Sequence, residues 1–414
     1  MLVRRWYHGW TVVFVAVIFQ AVSTGCVWYG FTLFVHPWME EFGSGSGEVL
    51  RAISLMVLVM GLSSPAAGKA LTLLSARVLV TVGAILLAIG FVGIGRATAL
   101  WQITLIYATL LPVGATLTGP LIGQTLAVMW FTKRRGLAIG IAAAGTPVGA
   151  LLVPHLLEFL FTHFGWRTAN IMIAGFVVLS IVPLSLLVLR RMLPADVNKY
   201  PAEARSASEI QTGREWKVVQ ILSEPTFWLL GVPMVSINIL LMAFQTNLGP
   251  RVEELGVGTL NTPFLISAYA LALMTCNVLF GKLTDSIDGR YIFWLSATAM
   301  ASNVVLMMGH PSLGRLFLAC VIMGICEGAL LPVVGVVLNR HFGTRSFGLV
   351  ESLMLAMLIG IGMLGPVTMG MMRDLTGSYQ LSLVVALALV AVASVIIKWL
   401  PNSGASPRLV STGH

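Results

Sequence analysis

The amino-acid sequence predicts an all-α membrane protein with twelve transmembrane helices, built as two consecutive sets of six that share one orientation. Three observations carry the prediction. The chain is 57% apolar and 10% charged over 414 residues, against roughly 45–50% and about 25% in an ordinary soluble domain. Its apolar residues run in blocks long enough to cross a bilayer, which takes ~20 residues per span. A segmental repeat also recurs at an offset of about 213 residues. One soluble core stops growing near ~250–300 residues, so composition excludes a water-soluble enzyme.

The first six spans fall at 10–36, 48–71, 77–95, 99–131, 136–162 and 167–189. The first follows Arg4 and Arg5 and runs on without a small-residue cleavage pattern, so it is expected to be retained rather than removed as a signal peptide. Gly68-Lys69 closes the second and Arg77 opens the third. Lys133-Arg134-Arg135 separates the fourth from the fifth, and Gly165 separates the fifth from the sixth. The segment 190–224 is polar, with six Lys/Arg against Asp196, Glu203, Glu209, Glu215 and Glu224. Its stretch Glu215 to Leu222 is expected to form a short amphipathic helix on the membrane surface. The second six spans fall at 225–248, 260–283, 290–309, 313–342, 347–373 and 379–399, and the Ser/Gly/Pro-containing tail from Pro401 is expected to be disordered. The organisation is thus an N-terminal bundle at 1–189, a cytoplasmic linker at 190–224, a C-terminal bundle at 225–400 and a disordered cytoplasmic tail at 401–414.

The net charge of +9 is a topology signal. With an even number of spans both ends share one side, and nineteen of the 25 Lys/Arg fall on the loops and termini of that side. The positive-inside rule places it in the cytoplasm. The expected location is the plasma membrane, the inner membrane of a bacterium, with lipid and a small-molecule substrate as partners and no nucleic acid. Cys26, Cys276, Cys320 and Cys326 all fall inside spans with no CxxC spacing, and they read as packing residues rather than disulfides or a metal site.

The repeat aligns Pro37-Trp38-Met39-Glu40-Glu41-Phe42-Gly43 with Pro250-Arg251-Val252-Glu253-Glu254-Leu255-Gly256, and Gly68-Lys69 with Arg77 onto Gly281-Lys282 with Arg290. A shift of 212 takes Gly165 onto Gly377. A parallel repeat of six helices plus six, joined by a basic loop, resembles the major facilitator superfamily of secondary transporters. Its loop motif G-x-L-x-D-R-x-G-R is approached by Gly281 to Arg290, with Asp285 at the acidic position; in the first copy Thr72 stands there, which weakens the charge relay that the resemblance implies. Trp130-Phe131-Thr132-Lys133-Arg134-Arg135-Gly136 to Gly145 is similar to the signature of the monocarboxylate porter and oxalate–formate antiporter branch. Gly68, Arg77, Lys133, Arg134, Arg135, Gly281, Asp285 and Arg290 are accordingly the expected cytoplasmic gate motifs. One departure stands out. Where carboxylate-transporting members carry an arginine in helix eight, this chain has Asn277.

Ionisable residues inside spans are costly and mark function. Glu327 lies near the middle of the tenth span between Gly324 and Gly328. Desolvation disfavours a charged carboxyl group, so Glu327 is the candidate for exchanging a proton as a cavity alternates. His155 and Glu158, three residues apart on the fifth span, are a candidate outer gate or relay. Glu351 is expected to serve the N-terminus of the eleventh helix beside Arg345. Tyr29, Gln124, Asn238, Gln245, Tyr269 and Asn277 are the polar candidates for the cavity, with Trp28, Phe31 and Phe244 as ring faces. No GxxxxGK[ST] loop is present. The expectation is therefore a secondary transporter working by alternating access on a proton or ion gradient, with no cofactor and no metal. Its substrate is expected to be a small organic monocarboxylic acid, and the functional unit a monomer. Export of amphipathic compounds is the alternative within transport, and a non-transporting sensor the alternative outside it.

Overall fold

The computed structural model describes residues 7–190, 215–254, 262–309, 311–377 and 379–400. The expected tail at 401–414, the middle of the linker at 191–214, and Leu255 and Gly256 of the repeat lie outside the described residues.

Among the described residues, ten helices are long and apolar enough to cross a membrane. Two features bring the count to the twelve of the sequence reading. The run Arg135–Val188 has 54 residues, which as one rod would reach about 80 Å against a hydrocarbon core of ~30 Å. It turns at Gly165, whose φ of 72° and ψ of 161° are non-helical; a side chain would be strained there, and glycine is not. The other feature is Gly289–Met307, less apolar than its neighbours. Its polar side chains donate inside the bundle, the Ser296 hydroxyl to the Cys326 carbonyl at 2.9 Å and the Asn303 amide to the Ala319 carbonyl at 2.6 Å, which keeps these donors off the lipid.

The spans are α1 (His8–Phe42), α2 (Ser46–Leu73), α3 (Ala76–Gly95), α4 (Leu100–Trp130), α5 (135–164) and α6 (166–188). After them come α7 (Pro225–Glu254), α8 (Thr262–Leu283), α9 (Gly289–Met307), α10 (Leu313–Phe342), α11 (Phe347–Arg373) and α12 (Gln380–Ile396). The expected linker helix is present as Val218–Ser223. It buries Ile221, leaves Val219 exposed, and packs on α7 and α11. α1 extends beyond the predicted span because Pro37 is accommodated within the helix and Gly43, at φ 59°, ends it. All four cysteines are free and buried.

The end of the bundle carrying the loops after α2, α4, α8 and α10 is called here the basic end. There the first six helices meet the last six, through α2 with α11, α5 with α8 and α10, and α4 with α11. α1 and α7 make their main contacts within their own six. Helix association in lipid depends on close packing at small residues, and the α5–α8 crossing illustrates it. A Cβ on Gly281 would meet the Gly136 carbonyl oxygen at 2.5 Å and the Gly140 Cα at 2.9 Å. Only glycines let these backbones approach so closely.

At the opposite end, the repeat motif after α1 ties into the start of α6. Trp38 is fully buried and rings with Phe31, Phe34, Tyr107 and Trp166 surround it. Glu41 accepts from the Trp166 indole at 2.6 Å and pairs with Arg167, which also donates to the Ala97 carbonyl at 2.9 Å.

Candidate functional site

The α1 helix widens into a π-turn at Gly25–Tyr29, closed by the Gly30 N–H donating to the Gly25 carbonyl at 2.9 Å. Such turns insert an extra residue and re-aim the side chains that follow. Tyr29, at its end, comes within electrostatic reach of Glu327 and Tyr269. Glu327 sits on α10 between close-packed glycines, half-buried. Its Oε2 accepts from the Gln245 amide of α7 at 2.7 Å and from the Tyr269 hydroxyl of α8, and the Gln245 amide also reaches the Tyr269 oxygen at 2.8 Å. Its Oε1 accepts nothing among the described residues and is not enclosed. A carboxyl group held by two donors on one oxygen and accessible on the other can take up a proton or a ligand without dismantling its own support. Among the described residues no Lys or Arg pairs with it.

Four of the residues proposed from the sequence, Glu327, Gln245, Tyr269 and Tyr29, are thus brought together. The others are not. Asn238 is spent on the Leu358 carbonyl at 2.8 Å, joining α7 to α11. Gln124 is fully buried on α4 with both amide atoms unpartnered among the described residues. Asn277 is 2% exposed, with its Oδ1 unpartnered among the described residues; its backbone carbonyl faces Gly140 across the α5–α8 crossing, its backbone N lies against Gly328 of α10, and no hydrogen bond joins it to Glu327. Phe31 and Phe244 are buried, Phe244 at the wall of a small pocket with Asn247 and Tyr379 that Glu327 does not line, and Trp28 is half-buried. His155 and Glu158 are both exposed, no ion pair joins them, and the His155 Nδ1 lies 2.9 Å from the Leu151 carbonyl of its own helix. The outer gate or relay read from their spacing is not assembled.

At the basic end the gate motifs form two kinds of contact. Asp285 accepts the Gly136 and Leu137 N–H groups at 2.7 and 3.1 Å, capping the first turn of α5 from the other six-helix set. Burial pushes the Asp285 carboxyl above its usual range, against the pull of those two N–H donors and of Arg340 and Arg134. Arg135 donates to the Phe131 carbonyl at 2.6 Å, to Asn339 Oδ1 at 2.5 Å and to the Thr344 hydroxyl at 3.0 Å. Arg77 donates to the Leu189 carbonyl at 2.6 Å, and Arg290 pairs with Asp288 rather than Asp285. Lys133 and Arg134 are exposed, and Gly68 lies against Gly348 and Ser352 of α11. Thr72, where the first copy lacks the acid, donates to the Lys69 carbonyl of its own helix at 2.7 Å. Asn339 and Thr344 escaped the sequence reading because an uncharged residue at a helix end carries no signal of a distant arginine. Glu351 also differs from expectation: it is fully buried with neither oxygen hydrogen-bonded among the described residues, while Arg345 pairs with Glu215 at 2.8 Å. A cavity of about 960 Å³ at this end adjoins Arg77, Arg190, Glu215 and Arg345 and is separate from Glu327.

A twelve-helix bundle whose two sets of six join at one end, around a polar cluster set at mid-depth, is the architecture of a membrane transporter. The chain matches the family model of the Major Facilitator Superfamily at residues 13–290 and 250–412, and it belongs to that superfamily. It is a multi-pass membrane transporter of small molecules and not an enzyme. It is 27% identical over 404 residues to monocarboxylate transporter 13 of Rattus norvegicus, covering 95% of this chain and 89% of that protein. It is 24% identical over 307 residues to the oxalate:formate antiporter of Oxalobacter formigenes, covering 73% and 69%. These relatives fall in the branch whose signature Trp130 to Gly145 resembles. A proton:xylose symporter structure superposes with a TM-score of 0.74 at 13% identity over 96% of both chains. The E. coli fucose:proton symporter superposes with a TM-score of 0.71 at 11% identity over 96% of this chain and all of that one, 100%.

Proposed function

We propose that this protein carries a small organic monocarboxylic acid across the plasma membrane together with a proton, the substrate class named for its relatives, and that Glu327 holds the coupled proton. The observation that carries the reading is the Glu327 cluster: one carboxyl group, two supporting donors on Oε2 and an accessible Oε1, with no cation at hand among the described residues. A carboxylate substrate beside an ionised Glu327 would be repelled. With a proton on either partner the two carboxyl groups can share a hydrogen bond, so binding of the acid and of the proton become one event. The cluster lacks the arginine that would bind a carboxylate in two prongs, and Asn277 in its place favours loading as the protonated pair.

The gradient supplies the energy and no cofactor is needed. The basic end is assigned to the cytoplasm by the excess of Lys and Arg on its loops, which makes the conformation described here outward-facing. The two sets of six, within 1–189 and 225–400, move against each other as bodies. One chain carries a complete cluster, so a monomer suffices. In proteoliposomes, an imposed pH gradient is expected to drive uptake of a labelled monocarboxylate by the wild type. Glu327→Gln should lose the gradient-driven uptake while keeping counterflow exchange; uptake unchanged in that variant removes Glu327 from the mechanism.

A further inference from the structure

The cluster around Glu327 leaves one buried acid unexplained. Glu351 lies one turn into α11, fully buried, with neither Oε1 nor Oε2 hydrogen-bonded among the described residues. The internal repeat makes its place informative. A shift of 212 carries Gly136 onto Gly348, Gly140 onto Ser352 and Ile139 onto Glu351. The contacts obey the same shift. A Cβ on Gly281 would strike Gly136 and Gly140, and one on Gly68 would meet the Gly348 carbonyl and the Ser352 Cβ, each at 2.6 Å. The α2–α11 contact therefore repeats the α8–α5 contact. Where one copy buries Ile139, the other buries a carboxyl group, so packing alone does not call for an acid at 351.

Among the described residues, nothing on the surrounding elements compensates a charge there; α7, which packs on α11, carries no Asp, Glu, Lys, Arg or His from Pro225 to Pro250. On α2, Lys69 is exposed, and Glu48 and Arg51 lie at the far end. α4 carries no Asp, Glu, Lys, Arg or His from Leu100 to Trp130. On α10, Arg340 donates to the Thr284 carbonyl at 3.2 Å, His341 lies 3.2 Å from Glu224 at the start of α7, and Arg315 is at the opposite end. Arg345 is paired with Glu215, Lys217 beside the linker helix is exposed, and Arg135 of α5 is engaged with Phe131, Asn339 and Thr344. The cavity at the basic end reaches Thr125 of α4 and Gly348, one turn from Glu351, yet both Glu351 oxygens are enclosed with no donor or cation on them among the described residues; the neutral acid is the form such an enclosure tolerates.

We infer that Glu351 is a second proton-binding site, holding a proton while α11 is closed on α2 and α4 and releasing it to water at the basic end when those helices separate. The carboxyl O–H bond breaks, the proton passes to a water molecule, and the carboxylate left behind is solvated. Reclosure takes a proton back from the same side. This device goes beyond the role proposed for Glu327: it links the opening of the basic end to the pH on that side, whatever the substrate.

Two measurements test it. Infrared difference spectroscopy of the purified protein near about pH 7 is expected to show a neutral-carboxyl C=O band that Glu351→Gln abolishes and Glu327→Gln retains. Spin labels at Leu74→Cys, just past the end of α2, and Val219→Cys on the linker helix, both exposed positions, report the separation of the basic end while the native cysteines stay buried. In an Asp285→Asn background, which removes the carboxyl group that caps α5 across the boundary, the closed-to-open ratio should fall with rising pH by up to about tenfold per unit. Glu351→Gln, and Glu351→Ile as the residue the other repeat uses, should abolish that dependence. A pH dependence retained by both variants, or no neutral-carboxyl band lost with Glu351, overturns the inference. Failure of the Glu327 reading shows separately, as gradient-driven uptake by Glu327→Gln.

Discussion

The Asp285 carboxylate, in the loop after α8, accepts the Gly136 backbone N–H at 2.7 Å and so caps a helix that belongs to the other six-helix set. A helix N-terminus presents N–H groups without intrahelical acceptors. Here their acceptor comes from across the boundary, which makes the bond conditional on the basic end being closed. The cap therefore stabilises one conformation of the transporter and not the other.

Removing the carboxylate should bias the protein toward opening at the basic end. Asp285→Ala is expected to cost the closed state about 1 kcal/mol, whereas Asn, an equally good cap, should cost little. Labelling of a cysteine placed at Thr284, which is 1% exposed, is expected to speed up roughly fivefold in Asp285→Ala and to stay near the wild-type rate in Asp285→Asn.

The same carboxyl group adds a pH dependence of defined sign. Burial raises its proton affinity in the closed state, and opening returns it to water and its ordinary range. The closed state thus binds the proton more tightly, so closure strengthens as pH falls and weakens as pH rises through the raised value. Measured in a Glu351→Gln background, the Thr284→Cys labelling rate should rise with pH, and Asp285→Asn should flatten that rise.

Gly281 tests the closure by sterics rather than charge. A methyl group there is aimed at the Gly136 carbonyl, and overpacking of this kind typically costs ~1–3 kcal/mol. Gly281→Ala should therefore populate the state open at the basic end and slow transport, with little loss of thermal stability if the helices separate to relieve the contact. A normal transport rate with unchanged labelling would show that the crossing adapts.

Arg135 tests geometry. It divides its donors among Phe131, Asn339 and Thr344, a fork that lysine's single ammonium does not reproduce. Arg135→Lys is expected to behave like Arg135→Ala in the labelling assay, and Asn339→Ala to reproduce part of the effect.

At the opposite end, stability rests on rings more than on charge. The Arg167–Glu41 pair is partly exposed, with side-chain accessibilities of 41% and 36%, and pairs of this kind contribute ~0–1 kcal/mol. Trp38 is fully enclosed, and truncating such a residue costs about 3–5 kcal/mol. Thermal unfolding in detergent should show Trp38→Ala far below the wild type and Arg167→Ala close to it.

Class, span positions and the repeat were legible in the sequence because each rests on local chemistry. Lipid demands continuous apolar runs, scarce charge collects in loops, and a duplicated fold leaves Gly68 and Gly281, or Arg77 and Arg290, at one offset. Glu327 was legible for the same reason: an acid in the middle of an apolar helix needs a purpose. Its partners were only a roll of polar residues until the fold chose among them. Gln245 and Tyr269 reach Glu327, while Asn238 is used up on a backbone carbonyl, and Asn277 and Gln124 are sealed between helices. Glu351 shows the limit most plainly. Four residues into a helix, it reads as favourable to the helix terminus; only the packing of α2 and α4 over it removes water and partners and makes it costly to ionise. Composition and period determine which segments cross the membrane and where charge is scarce. Which polar groups meet, and which are left alone, is decided by helix rotation and crossing, which no local stretch of sequence encodes.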